Sequence, residues 1–131
     1  MGKTVLAVDD EAETRDFVSI VLEENGYTPI LAEDGEEAME IIRQNKPDLI
    51  ILDIMMPKQS GIKMYRELKT AKSLKNIPVI IYSGLPRRTL LRAQAALTQS
   101  SGGESVPDPE AYLEKPVTPE RLVATIEKIL G

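Results

Sequence analysis

The sequence contains no cysteine, no histidine and no long apolar run. Without cysteine there are neither disulfides nor thiolate metal sites, and without histidine there is no imidazole ligand and no histidine acid–base catalysis. Any metal bound here must be a hard cation held by oxygen, which points to Mg2+, Mn2+ or Ca2+. No stretch approaches the roughly eighteen apolar residues of a membrane-spanning helix. The opening Met1-Gly2-Lys3-Thr4 lacks the apolar core of a signal peptide. The cytoplasm is therefore the expected location, with no membrane as a partner. Basic charge is also in short supply: 16 Lys and Arg against 21 Asp and Glu leave a net charge of −5. That balance argues against direct binding of nucleic acid or anionic lipid. What is present, 131 residues with 42% hydrophobic and 28% charged side chains, suits one folded domain over residues 1–131.

The most informative stretch runs from Asp48 to Gly61. Leu49-Ile50-Ile51-Leu52 reads as a strand buried on both faces, as parallel strands are. Asp53 follows at its carboxyl end, and Pro57 and Gly61 turn the chain into a loop. Ligands of open α/β sheets bind outside the carboxyl ends of the strands, which is where Asp53 falls. Taken alone, Asp53 would serve equally well as a turn residue.

Around this stretch strands and helices alternate. Residues 3–8, with the apolar run Val5-Leu6-Ala7-Val8, read as a first strand and 11–25 as a helix with the stripe Phe17, Val18, Val21 and Leu22, opened by a capping box of Asp10 and Glu13 and stopped by Asn25-Gly26. A second strand over 27–32 leads into a helix begun by Asp34-Gly35-Glu36-Glu37. A third helix is expected from Gly61 to about Lys72, a fourth strand over 77–82 and a fourth helix over 86–99. Residues 100–109 read as a flexible insert, extended from Val106 to Pro109. A short fifth strand follows within 110–114, and Thr118-Pro119 starts the last helix. Five strands alternating with five helices predict an α/β, doubly wound, five-stranded parallel sheet in three α/β/α layers.

Polar groups recur at the strand ends: Asp9-Asp10 after the first, Asp53 after the third, Ser83 after the fourth and Lys115 after the fifth. Each has a plainer role available, Asp10 as a helix cap, Ser83 as a turn residue and Lys115 as a solvated charge. Together, at one sheet edge, they make a coherent site. Clustered carboxylates repel one another, and a divalent cation relieves that repulsion. Lys115 offers a compact positive charge and Ser83 a hydroxyl donor for a phosphoryl group. A carboxylate can itself be the nucleophile, forming an aspartyl-phosphate.

These residues resemble the receiver domain of two-component response regulators. Val8-Asp9-Asp10-Glu11, Asp53-Ile54-Met55-Met56-Pro57 with Gly61, Ser83-Gly84, and Tyr112-Leu113-Glu114-Lys115-Pro116 carry the resemblance, which covers essentially the whole chain. It implies a flavodoxin-like fold with strand order 2-1-3-4-5. It also implies a signalling module rather than an enzyme, catalysing at most its own phosphorylation and dephosphorylation. Asp53 would accept a phosphoryl group from a sensor histidine kinase or a phosphotransfer protein. Asp10, Asp53 and the backbone carbonyl of Met55 would hold Mg2+, with Asp9 acting through a water and Mn2+ able to substitute. Lys115 and Ser83 would contact the phosphoryl group, and Lys115-Pro116 would be a cis peptide, which X-Pro bonds allow. Ser83 and Tyr112 would form the switch, the ring turning inward as Ser83 moves toward the phosphoryl group; ordinary edge packing is the plainer role for Tyr112. The face of the fourth helix, fifth strand and fifth helix would be read by a downstream protein, and there is room for a phosphorylation-dependent homodimer.

The sequence departs from the family pattern between Ser83 and Lys115, which is about ten residues longer than usual, and long inserts carry function or disorder. Arg87, Arg88 and Arg92 form a basic cluster there, read first as a solvated face and second as a dock for an acidic partner. The chain closes at Leu130-Gly131 after the last helix, as a stand-alone regulator or a receiver from a larger protein would. A Mg2+-dependent phosphohydrolase would need an acid–base carboxylate two residues after its nucleophile, and that position is Met55. FMN binding is disfavoured by Asp9-Asp10-Glu11, which would repel its phosphate. The remaining alternative is a receiver-shaped interaction module that works without phosphorylation.

Overall fold

The computed structural model describes residues 2–86, 88, 89, 92 and 106–131. Five strands, β1 (Thr4–Val8), β2 (Thr28–Ala32), β3 (Leu49–Leu52), β4 (Val79–Ser83) and β5 (Ala111–Glu114), form one parallel sheet in the order β2-β1-β3-β4-β5. The described residues contain four α-helices: α1 (Ala12–Glu24), α2 (Gly35–Gln44), α3 (Ser60–Thr70) and α4 (Pro119–Leu130). The last is the fifth helix of the sequence reading. The helix expected over 86–99 and residues 100–105 of the insert fall largely outside the described residues, as does Arg87; Arg88 and Arg92 are exposed.

Period-two alternation explains the layering. Leu6, Val8, Ile50, Leu52, Val79 and Ile81 point to one face and pack with α2 and α3 through Ala38, Ile42, Met64 and Leu68. Val5, Ala7, Leu49, Ile51, Ile80 and Tyr82 point to the other and pack with α1 and α4 through Val18, Leu22, Leu122 and Ile126. Every residue of β3 is buried, as its unbroken apolar run requires. This is the flavodoxin-like, doubly wound architecture.

Local signals place most boundaries. Asp34 caps α2 by accepting the Glu37 N–H at 2.8 Å, and Thr118 caps α4 by accepting the Arg121 N–H at 3.1 Å, with Pro119 in the first turn. Gly26, just past α1, takes the left-handed φ of +85° that ends a helix. The capping box expected from Asp10 and Glu13 does not form. Glu11 occupies the cap position of α1 without a side-chain bond, and Asp9 accepts the Glu11 N–H at 2.9 Å instead. The shorter two-residue turn wins because Asp9 is held in place by the sheet, its own N–H donating to the Ala32 carbonyl at 3.1 Å.

Between β3 and α3 the chain makes a tight turn, with a 3-10 segment at Pro57–Gln59 and Lys58 at a left-handed φ of 61°. The turn closes against Gly61. A Cβ at Gly61 would lie 2.3 Å from the Asp53 carbonyl oxygen and 2.7 Å from the Ile54 Cα. Gly61→Ala is therefore expected to destabilise the protein by about 1–3 kcal/mol, as overpacked interiors do. A lowered urea midpoint would show it; an unchanged midpoint would mean that the loop yields.

Candidate functional site

The sheet holds both acids that matter most. The Asp53 N–H donates to the Val8 carbonyl at 3.0 Å, continuing the β1–β3 ladder one step past β3, as Asp9 does toward β2. Both are buried, at 3% and 4% exposure, whereas Asp10 is exposed. Carboxylate oxygens of Asp9, Asp10 and Asp53 all lie within 4.8 Å of one another. Lys115, immediately after β5, spans the gap: its Nζ donates to Asp9 Oδ2 at 2.8 Å, Glu11 Oε1 at 3.1 Å and Asp53 Oδ2 at 3.4 Å. The Lys115 N–H is tied to the Ser83 carbonyl at 2.7 Å, and Lys115-Pro116 is a cis peptide. Asp53 Oδ1 accepts the Met55 N–H at 2.8 Å. Ser83 is fully buried, and its hydroxyl accepts the Leu85 N–H at 3.2 Å. Asp10, Glu11, Asp53, Met55, Leu85 and Lys115 line one open pocket over these groups.

Asp9, Asp10, Asp53, Ser83 and Lys115 thus meet at one sheet edge. The Tyr112 ring packs against the α3-side core, and its buried hydroxyl has no hydrogen-bond partner among the described residues. Lys115 is no solvated charge but is 15% exposed and shared among three acids. Two contributors were missed in the sequence. Glu11 is the third partner of Lys115, and Arg15 holds the Asp9 turn by donating to the Asp9 carbonyl at 2.7 Å, with Glu33 at 3.6 Å behind it. Arg15 lies one helical turn beyond Glu11 (its N–H donates to the Glu11 carbonyl), and that spacing was the only available signal.

The family model for the response regulator receiver domain matches residues 5–127. The chain belongs to that family. This receiver is 37% identical over 130 residues to the phosphate regulon transcriptional regulatory protein PhoB of Pseudomonas aeruginosa, covering 99% of the chain and 52% of that protein. The chain spans about half the length of the PhoB relatives that it matches. It is 32% identical over 131 residues to the polar-differentiation response regulator DivK of Brucella anthropi, covering 100% of the chain and 98% of that relative. Among solved structures, the chemotaxis protein CheY4 of Vibrio cholerae superposes with a TM-score of 0.82 at 28% identity, over 99% of this chain and 100% of that one. The signal receiver domain of a histidine kinase from Syntrophus aciditrophicus does so with 0.82 at 27%, over 98% and 90%. Receiver domains are signalling domains, and those of response regulators interact with histidine kinases or phosphotransfer proteins. No helix among the described residues is long and apolar enough to cross a membrane.

The donor set of the receiver fits a hard divalent cation. It is all oxygen, three carboxylates converge, and Asp10 carries no other hydrogen bond or ion pair among the described residues. Electrostatics point the same way. Burial pushes the Asp53 carboxyl above its ordinary value; the Met55 N–H and the Lys115 charge pull it down, and the Asp9 charge pushes it up again. Burial alone would lower Lys115, but its hydrogen bond to Asp9, the charges of Asp53 and Asp9, and the Glu11 bond outweigh it and hold the ammonium above its ordinary value. Lys115 also lies 5.4 Å from the centroid of the Tyr82 ring.

The raised Asp53 carboxyl has a definite sign in stability. Between its unfolded and folded values the unfolded chain has already lost the proton that the folded protein keeps, so folding stability falls as pH rises through that window. Without metal, Asp53→Asn removes this loss. The variant is expected to be more stable than wild type at neutral pH, with the difference shrinking toward acid pH, in paired urea titrations in chelator. Equal stabilities at neutral pH would contradict the electrostatic account.

Proposed function

We propose that this receiver is a phosphoacceptor switch, phosphorylated on Asp53 in a Mg2+-dependent reaction with a sensor histidine kinase or phosphotransfer protein. The observation that carries the reading is the buried Asp53 carboxylate, 3.4 Å from Lys115 and within 4.8 Å of Asp9 and Asp10. Asp10, Asp53 and the Met55 carbonyl would hold the cation, with Asp9 reaching it through water. When bound, the cation neutralises charge on the carboxylates and on phosphoryl oxygens.

The chain's own residues do the rest. An Asp53 carboxylate oxygen attacks phosphorus; the new O–P bond forms as the bond from phosphorus to the donor breaks, and the donor leaves with its electron pair. The Met55 N–H holds the other Asp53 oxygen, which orients the nucleophile. Lys115 balances the negative charge of the transferred group from a position that burial and its acidic neighbours keep protonated. Ser83 accepts from Leu85 N–H, so its own proton is available to a phosphoryl oxygen. Tyr112 is then the second half of the switch. Its hydroxyl, raised to about 12 by burial and by Asp108, stays neutral in the core without a partner. β5 and α4, with the fourth helix expected from the sequence, would form the face read by a partner protein, and phosphorylation would also allow a homodimer.

Intact-protein mass after incubation with Mg2+ and acetyl phosphate tests the reading. Wild type is expected to gain one phosphoryl group, and neither Asp53→Asn nor metal-free protein is expected to gain any. Absence of added mass together with no binding of Mg2+ or beryllofluoride would favour the interaction module that works without phosphorylation. Met55 is exposed beside the site and Leu85 half-buried, and both would hinder attacking water. Slow loss of the label with Mg2+ present is therefore expected, and rapid loss would count against it.

A further inference from the structure

One buried ammonium lies outside the cluster of Asp9, Asp53 and Lys115, paired with a carboxylate at the surface. Lys69, in the last turn of α3, has a side chain only 2% exposed. A buried ammonium needs partners. Lys69 finds the Glu110 carboxylate at 3.2 and 3.4 Å, the Ile77 carbonyl at 3.3 Å and the Tyr65 ring at 5.9 Å. Glu110 has a second set of bonds. Its Oε1 accepts the Val79 N–H at 2.7 Å, while its own N–H donates to the Val79 carbonyl at 3.0 Å. Val79 lies one residue ahead of the first β4–β5 ladder pair, Ile80 with Ala111. Backbone pairing thus begins at Glu110 with its N–H, and the Glu110 side chain supplies the acceptor for the Val79 N–H. The segment before it is held to α3 as well: Val106 is buried in the α3-side core, and the Tyr65 hydroxyl donates to the Pro107 carbonyl.

Among the described residues β5 pairs with β4 alone, so contacts at its ends bear directly on its register. Register decides the site. A slip of one residue would move Lys115 about 3.3 Å and turn it to the opposite face, away from Asp9 and Asp53. We propose that Glu110, anchored by Lys69, is the register pin of β5 and so a positioning residue for Lys115 in phosphoryl acceptance. The second half of this inference rests on Asp53 being the acceptor.

Two double variants separate the pin from the buried charge. Lys69→Met with Glu110→Leu removes both charges together, which avoids an unpaired buried ammonium, and leaves the Val79 N–H without an acceptor. Lys69→Met with Glu110→Gln removes the same charges but keeps a carbonyl acceptor. In the Leu double, the Val79 and Lys115 amides should exchange with solvent about tenfold faster, β1 and β3 amides should not change, and phosphoryl uptake from acetyl phosphate with Mg2+ should slow about tenfold or more, as a misplacement near 1 Å does. The Gln double should stay within about twofold of wild type in both measurements, since its side chain still accepts the bond. Two doubles that behave alike in exchange, or a Leu double with fast exchange but undiminished uptake, would overturn the inference. A wild-type protein that takes no phosphoryl group would overturn the acceptor reading instead, and exchange in the two doubles would still decide whether Glu110 pins β5.

Discussion

The structure depends on keeping two carboxylates, Asp9 and Asp53, at the dry end of a parallel sheet. With oxygens inside 4.8 Å of each other, two such charges repel by about 3 kcal/mol or more at an effective dielectric near 20. The fold does not relieve this by moving them apart, because each directly follows a strand, β1 or β3, that is buried on both faces and its backbone continues that strand's ladder. It relieves it with one cation from the far end of the chain, Lys115, and with backbone N–H groups from Glu11 and Met55. The result is a poised cluster: Lys115 contacts three acids, while Asp10 has no partner among the described residues and lines the open pocket.

Reaching that arrangement requires tolerances elsewhere. The β3–α3 turn must press against the Asp53 backbone, which only a residue without a Cβ permits at Gly61, and Lys58 takes a strained left-handed φ to complete it. On the other side of the site, β5 must deliver Lys115 from the sheet edge, where half of its backbone has no strand to pair with. The ion pair of buried Lys69 with exposed Glu110 and the docked Val106–Pro107 backbone sit at the start of that strand, on the side away from the acids.

The relatives frame this receiver in different settings. The PhoB proteins extend well past the matched half, DivK is matched over nearly its whole length, and the Syntrophus structure is the receiver of a histidine kinase. What is common to them is the stretch that matches this receiver.

Much of this was legible in the residue order. Apolar runs ending in acids, period-two and helical spacing, and the Asp34 and Thr118 caps identified the strands, three of the helix starts and the residues that gather at the sheet edge. They were legible because those signals are local, or repeat with the period of the element. Other features were settled only by folding. Asp9 rather than Asp10 turns the chain into α1, because the neighbouring strand fixes the Asp9 backbone. Glu11 and Arg15 join the site because a helix turn brings them to it. Lys69 is buried with a partner, Glu110, that lies 41 positions away in sequence but 3.2 Å away in space. A charge goes inside a protein only when its partner is already there, and that partner is chosen by tertiary structure.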